Sequence, residues 1–169
     1  MQRPITSHQK KLSALCAIVG AESSSKELEK IEVSGIAQAS DSVLAGDLFI
    51  ALPGEKFHGA QFASDAISRG AVAVLTDAKG AKDIKGVPVL ISTNPRRAAG
   101  IASAWFYSEP MRDLYSVGVT GTNGKTTVTT LLHQIMTAAG RDSGLIGTVE
   151  TRIGVESIAS KRTTPESSD

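Results

Sequence analysis

Residues 118–127 read Gly118-Val119-Thr120-Gly121-Thr122-Asn123-Gly124-Lys125-Thr126-Thr127. An apolar run, Leu114 to Val119, precedes them, and an amphipathic run, Val128 to Ala139, follows. The order is therefore strand, glycine loop, helix. A loop of this kind turns several backbone N–H groups toward one point at a helix start, where unpaired donors and the helix dipole both favour an anion. Gly121, Thr122, Asn123, Gly124, Lys125, Thr126 and Thr127 form a candidate nucleoside-triphosphate loop. Within it Lys125 and Thr126 are the candidate catalytic pair. Lys125 supplies a point charge for the outer phosphates, and the Thr126 hydroxyl is placed to ligate Mg²⁺. The usual pattern has a glycine five residues before the Gly-Lys pair; here that position is Val119, and glycines fall at 118, 121 and 124 instead. The alternative is an ordinary strand-to-helix turn.

The rest of the chain alternates strands with helices, which argues for an α/β architecture. Residues 5–18 carry Leu12, Leu15 and Ile18 at helical spacing. Glu32 to Ile36 and Asp47 to Leu52 read as strands, the second closed by Pro53-Gly54. Phe62 to Ser68 has helical spacing and stops at Gly70. Ala71 to Leu75 and Val87 to Ser92 are continuous apolar runs of the kind that buried strands show. Asn94 caps a helix that runs to about Tyr107, with Pro95 in its first turn. Pro110 marks a boundary between a domain of residues 1–108 and a second that starts at 109. In the second, Val128, Leu131, Leu132, Ile135, Met136 and Ala139 form one apolar helical stripe, and Gly144 to Val149 is the next strand. A single βαβ unit of this sort is too little for a complete phosphate-loop domain, so the chain reads as the front of a longer enzyme.

Composition narrows the class. Hydrophobic residues make up 41% and charged residues 21%, with a formal net charge of +1. That balance gives no electrostatic reason to expect a nucleic-acid partner. No apolar stretch reaches the length of a membrane span, and Met1-Gln2-Arg3-Pro4 lacks the features of a secretion signal. The cytoplasm is the expected compartment. The one cysteine, Cys16, excludes an internal disulfide and reads as a packed thiol. His8, His58 and His133 are scattered and give no metal spacing. His58 beside Gly59 reads as a turn, and His133 falls opposite the apolar stripe, where solvent is expected. Asp47 reads as a turn cap, and Trp105 and Phe106 as core or interface.

Val119-Thr-Gly-Thr-Asn-Gly-Lys-Thr-Thr resembles the ATP loop of the Mur ligases, which build the peptidoglycan precursor. Independently, Gly46-Asp47-Leu48-Phe49-Ile50-Ala51-Leu52-Pro53-Gly54, followed by His58-Gly59, Phe62, Ala66 and Gly70-Ala71, is similar to that family's N-terminal uridine-binding domain. Leu145-Ile146-Gly147-Thr148 and Thr163-Thr164-Pro165-Glu166-Ser167 resemble the branch that adds the third amino acid. The resemblance spans residues 31–167 and implies a small uridine-binding α/β domain, then the first βαβ unit of a central ATP domain. It implies ATP-dependent amide formation through an acyl phosphate, with meso-diaminopimelate or L-lysine added to UDP-N-acetylmuramoyl-L-Ala-D-Glu.

By the same resemblance, ATP and Mg²⁺ belong at residues 121–127, Thr163 and Thr164 meet the UDP-muramoyl dipeptide, and Ser40 with Glu55, Lys56 and Phe57 lines the uridine pocket. The expected partners are those small molecules and the remainder of a ligase chain; the 169-residue chain alone is not expected to turn over. The family commonly has Asp-Ser-Arg where this chain has Ala39-Ser40-Asp41. Two other readings stay open: a different member such as MurF or a MurT-like relative, and a non-catalytic nucleotide-binding module.

Overall fold

The computed structural model describes residues 8–159, which form two compact units that divide between Arg112 and Asp113. In the first unit, β1 (Lys10–Lys11) leads into α1 (Leu12–Val19), followed by β2 (Glu22–Ser23), β3 (Glu32–Val33) and β4 (Gly35–Ala37). Then come β5 (Asp47–Ile50), α2 (Ala63–Ser68), β6 (Ala73–Thr76), β7 (Val89–Ile91) and α3 (Pro95–Phe106). β4, β5, β6 and β7 pair in parallel, and β2 closes the edge beside β7 in the antiparallel sense, giving the order β2-β7-β6-β5-β4.

The sheet is covered on both faces, which explains why its strands read as unbroken apolar runs. Along β5, Leu48 and Ile50 join the cluster built from Leu12 and Leu15 of α1 and Ala98, Ala99, Ala102 and Phe106 of α3. Phe49 and the following Ala51 point the other way and pack with Ala63 and Ala66 of α2. β6 repeats the division, Ala73 and Leu75 on one face and Val74 on the other. Small residues on α2 and α3 let the helices lie close to the sheet, so few aromatics are needed.

In the first unit the expected elements are present with shifted ends. The expected strand over 32–36 is broken at Ser34: Glu32–Val33 pairs with β1, while Gly35–Ala37 joins the main sheet. The helix expected over 5–18 starts at Leu12 within the described residues, because Lys10 and Lys11 are taken into β1. Asn94 caps α3 through its side chain, Oδ1 accepting from the Arg97 N–H at 3.1 Å, with Pro95 in the first turn. Phe106 is buried and Trp105 packs partly against the core. The half-buried Cys16 donates to the Ala21 carbonyl at 3.1 Å, and burial pushes its thiol up from the ordinary value, which suits a packed thiol.

In the second unit, α4 (Lys125–Ala138) is followed by β8 (Gly144–Ile146), β9 (Glu150–Ile153) and β10 (Glu156–Ala159), a three-stranded sheet of order β10-β9-β8. Its pairings are antiparallel. Residues 114–119, expected as a strand, form none, and Leu114, Tyr115 and Val117 are exposed. A strand needs a neighbour for its N–H and C=O groups, and among the described residues of this unit no parallel neighbour is offered. The stripe on α4 is only partly covered for the same reason: Val128, Leu131 and Ile135 are exposed, and Leu132 and Met136 are half-buried.

Gly70 shows how tightly the first unit is closed. It has φ +106°, and a Cβ there would lie 2.8 Å from the Ala45 Cα. Its carbonyl accepts the Gly46 N–H at 2.9 Å. Gly70→Ala is expected to cost about 1–3 kcal/mol, read as a lower urea midpoint; an unchanged midpoint would show that this junction yields freely.

Candidate functional site

The glycine loop opens α4 as its residue types require. Gly124 is the N-cap residue at φ +80°, a left-handed conformation that favours glycine, and Gly121 has φ +150°. The first helical bond runs from the Val128 N–H to the Gly124 carbonyl at 2.9 Å. The N–H groups of Lys125, Thr126 and Thr127 therefore precede the first intrahelical partner and face outward. A Cβ added at Gly118 or Gly124 would meet nothing within 4 Å, so the space beside the backbone is open. Residues 121–127 are all exposed. The Lys125 ammonium folds back over the loop and donates to the Gly121 carbonyl at 2.5 Å and the Thr122 carbonyl at 3.4 Å. A cation held on carbonyls beside outward N–H groups is chemically suited to accept a polyphosphate.

Among the described residues, no group of three or more His, Cys, Asp or Glu could hold a metal ion. Thr126 is thus a single hydroxyl donor, which fits Mg²⁺ as that ion is usually bound, through few protein ligands plus phosphates and water.

In the first unit, the C-terminal ends of the parallel strands gather at one edge, where α/β sheets bind ligands. β4 leads to Ser40, β5 to residues 51–58, and β6 to Asp77. Ser40 opens a 3₁₀ turn, and the Asp65 carboxylate accepts from Arg69 Nε at 3.1 and 3.2 Å. The Ser40 hydroxyl first, and Arg69 second, hold the Asp65 carboxyl below the ordinary value. Glu55, Lys56 and Phe57 stand exposed on a short projection, Phe57 at 67%. Its base is closed by the Gly54 N–H on the Phe57 carbonyl at 3.0 Å and by the Pro53–His58 bridge.

His58 is a turn residue, as its sequence setting suggested. Its Nδ1 accepts from the Ala60 N–H at 3.0 Å, capping a 3₁₀ helix, and its Nε2 lies 3.1 Å from Asp77 Oδ1. That oxygen also accepts the Gly80 N–H at 2.7 Å. Asp77, Gly80 and Asp65 carried no signal in the sequence, because each acquires its role only when neighbouring strand ends meet. Asp47 is buried and accepts the Leu44 N–H at 2.8 Å, a turn cap as expected.

Two expectations need revision or lie elsewhere. His133 is buried rather than solvated, at 7% exposure, with Nδ1 2.9 Å from Ser143 Oγ. His133 is covered within this unit, while of the apolar stripe Val128, Leu131 and Ile135 are exposed and Leu132 and Met136 half-buried. Thr163 and Thr164 lie outside the described residues.

A two-faced parallel α/β unit and a glycine loop that opens a helix define the class. The Mur ligase family, catalytic domain, matches residues 32–107, and the Mur ligase middle domain matches residues 119–169. The chain belongs to the Mur ligase family. It is 46% identical over 160 residues to the UDP-N-acetylmuramoyl-L-alanyl-D-glutamate–2,6-diaminopimelate ligase of Streptomyces avermitilis, covering 94% of this chain and 31% of that protein. It is 44% identical to the ligase of the same name from Listeria monocytogenes, covering 82% of this chain and 28% of the relative.

The chain thus spans about three tenths of the curated relatives it matches. Solved structures agree on the fold: one of a UDP-N-acetylmuramoyl-L-alanyl-D-glutamate–2,6-diaminopimelate ligase has a TM-score of 0.66 at 21% identity, covering 95% of this chain and 31% of that one. MurF from Acinetobacter baumannii has a TM-score of 0.63 at 23% identity, covering 78% and 28%. MurF from Thermotoga maritima, solved in complex with ADP, has a TM-score of 0.50 at 24% identity and covers 62% of this chain and 23% of that one. No described helix is long and apolar enough to cross a membrane.

The Asp77 carboxyl yields a pH test. Burial raises it, but the Gly80 N–H, the His58 hydrogen bond and charge, and the Lys79 N–H together outweigh burial and hold it below the ordinary 3.8. A depressed carboxyl contributes stability that is present above about pH 4 and is lost as pH falls through the lower folded value. Asp77→Asn should therefore flatten the acid limb of the unfolding curve below about pH 4. Identical acid limbs for both proteins would remove Asp77 from the linkage.

Proposed function

We propose that residues 1–169 are the front of an ATP-dependent ligase that adds 2,6-diaminopimelate to UDP-N-acetylmuramoyl-L-Ala-D-Glu in the cytoplasm. Residues 1–108 would be the uridine-binding domain and 109–169 the start of the ATP-binding central domain. The observation that carries this reading is the open glycine loop at the start of α4, in a chain 46% identical over 160 residues to a ligase of that name. Diaminopimelate is preferred to lysine because the Streptomyces and Listeria relatives are named for it.

In this reading the backbone N–H groups of residues 121–127 hold the phosphates of ATP, helped by the dipole of α4. Lys125 leaves the Gly121 carbonyl and places its charge on the outer phosphates. The Thr126 hydroxyl would be one protein ligand of the Mg²⁺ that accompanies ATP, an ion usually held through few protein groups together with phosphate oxygens and water. ATP supplies the phosphoryl group that activates the substrate carboxylate for attack by the incoming amine. Ser40 and Glu55-Lys56-Phe57 line the uridine side, and Thr163 and Thr164 meet the muramoyl dipeptide. Further strands of the central domain would cover Val128, Leu131 and Ile135 and give residues 114–119 a partner.

The test is ATP-dependent phosphate release by the complete ligase. Lys125→Ala removes a cation where negative charge must be held, and turnover should fall by roughly 10²-fold or more. Thr126→Ala should also be impaired, and Thr127→Ala less so. Near-normal turnover in a well-folded Lys125→Ala enzyme would sink the phosphate-loop reading.

A further inference from the structure

The loop that carries Glu55, Lys56 and Phe57 projects from β5, yet its base is tied to the end of β6 by side chains that no step above requires. His58 ends this loop. Because its Nδ1 accepts the Ala60 N–H at 3.0 Å, the ring proton sits on Nε2, which donates to Asp77 Oδ1 at 3.1 Å. The same carboxylate oxygen accepts the Gly80 N–H at 2.7 Å, so Asp77 is itself held in place. A second tie runs parallel to the first: the buried Thr76 hydroxyl donates to the Ala51 carbonyl at 2.8 Å.

Packing closes the remaining freedom. A Cβ at Gly80 would lie 2.4 Å from Thr76 Oγ1 and 2.5 Å from His58 Cε1, so the turn after β6 presses directly on the imidazole. A Cβ at Gly59 would lie 2.9 Å from both the N and O of Leu52, and the Gly59 N–H donates to that oxygen at 2.8 Å. The base of the loop is thus immobilised from both sides, while its tip is open to solvent. A cap on a 3₁₀ turn needs only the Nδ1 bond. The Nε2 bond does something else: it joins two strand ends across the ligand edge of the sheet.

We propose that His58 and Asp77 are positioning residues for the uridine nucleotide, fixing the 53–57 loop against the end of β6 before the ligand arrives. This rests on the reading of Ser40 and residues 55–57 as the uridine side. Pre-ordering the loop removes an ordering cost from binding, so the pair acts on affinity without touching the ligand.

The two ring nitrogens can be separated. In His58→Asn the amide oxygen can still cap the Ala60 N–H, but the side chain is too short to bridge to Asp77. Asp77→Ala removes the other end, whereas Asp77→Asn keeps an oxygen that accepts from both His58 and Gly80. The 169-residue chain would be titrated with UDP, each variant checked by thermal unfolding and by amide exchange of residues 55–57. We expect H58N and D77A each to weaken UDP binding about tenfold and speed exchange of the loop. The double variant should be no worse than either single one, and D77N should stay within about twofold of the parent, a rescue that general destabilisation would not give. H58N keeps the cap, so it decides the matter even if D77A does not fold. Parent-like affinity in H58N, with binding weakened by Ser40→Ala combined with a replaced 55–57 loop, would overturn the positioning role and leave the uridine reading standing. UDP affinity unmoved by that combined replacement would overturn both.

Discussion

Burial of the parallel sheet on both faces is the constraint from which the first unit follows. Because β5 and β6 must satisfy α1 and α3 on one side and α2 on the other, alternate residues divide between two clusters: Leu48, Ile50, Ala73 and Leu75 against Phe49, Ala51 and Val74. A one-residue slip would move every one of these to the wrong face. With the strands fixed in register, their C-terminal ends are fixed too. The side chains that leave those ends, His58, Thr76 and Asp77, then meet partners far away in sequence at hydrogen-bonding distance.

The second unit follows a different logic. α4 forms because its hydrogen bonds are local, and β9 and β10 form because a hairpin around Gly154, at φ +57°, needs only its own two strands. Residues 114–119 have neither resource, and an apolar run without a partner strand stays irregular. The same shortage leaves Val128, Leu131 and Ile135 exposed and covers His133 instead. The open loop at the helix start needs no such neighbour, because its geometry rests on Gly121 and Gly124 and on the first turn of α4.

What could be read from the residues alone was local or periodic. The glycine loop, the Asn94 cap with Pro95, the apolar runs of β5, β6 and β7, and the turn at His58 each carry their cause within a few residues. The Mur ligase resemblance was legible because its two motifs are short and contiguous. Element ends were less legible: Ser34 splits one expected strand between two sheets, since pairing with β1 on one side and β5 on the other pulls the chain in different directions.

Sequence by itself thus determined the α/β alternation, the glycine loop that opens α4 and the family. Each depends on spacing along the chain and on backbone preferences of glycine and proline. Tertiary structure alone decided which polar groups meet. Asp77 became the partner of His58 and Gly80, and His133 a buried neighbour of Ser143. The Asp77 contacts arise from strand order, which is settled by how much apolar surface each face of the sheet can bury, and the His133 contact from the short connection between α4 and β8; neither is contained in a single segment.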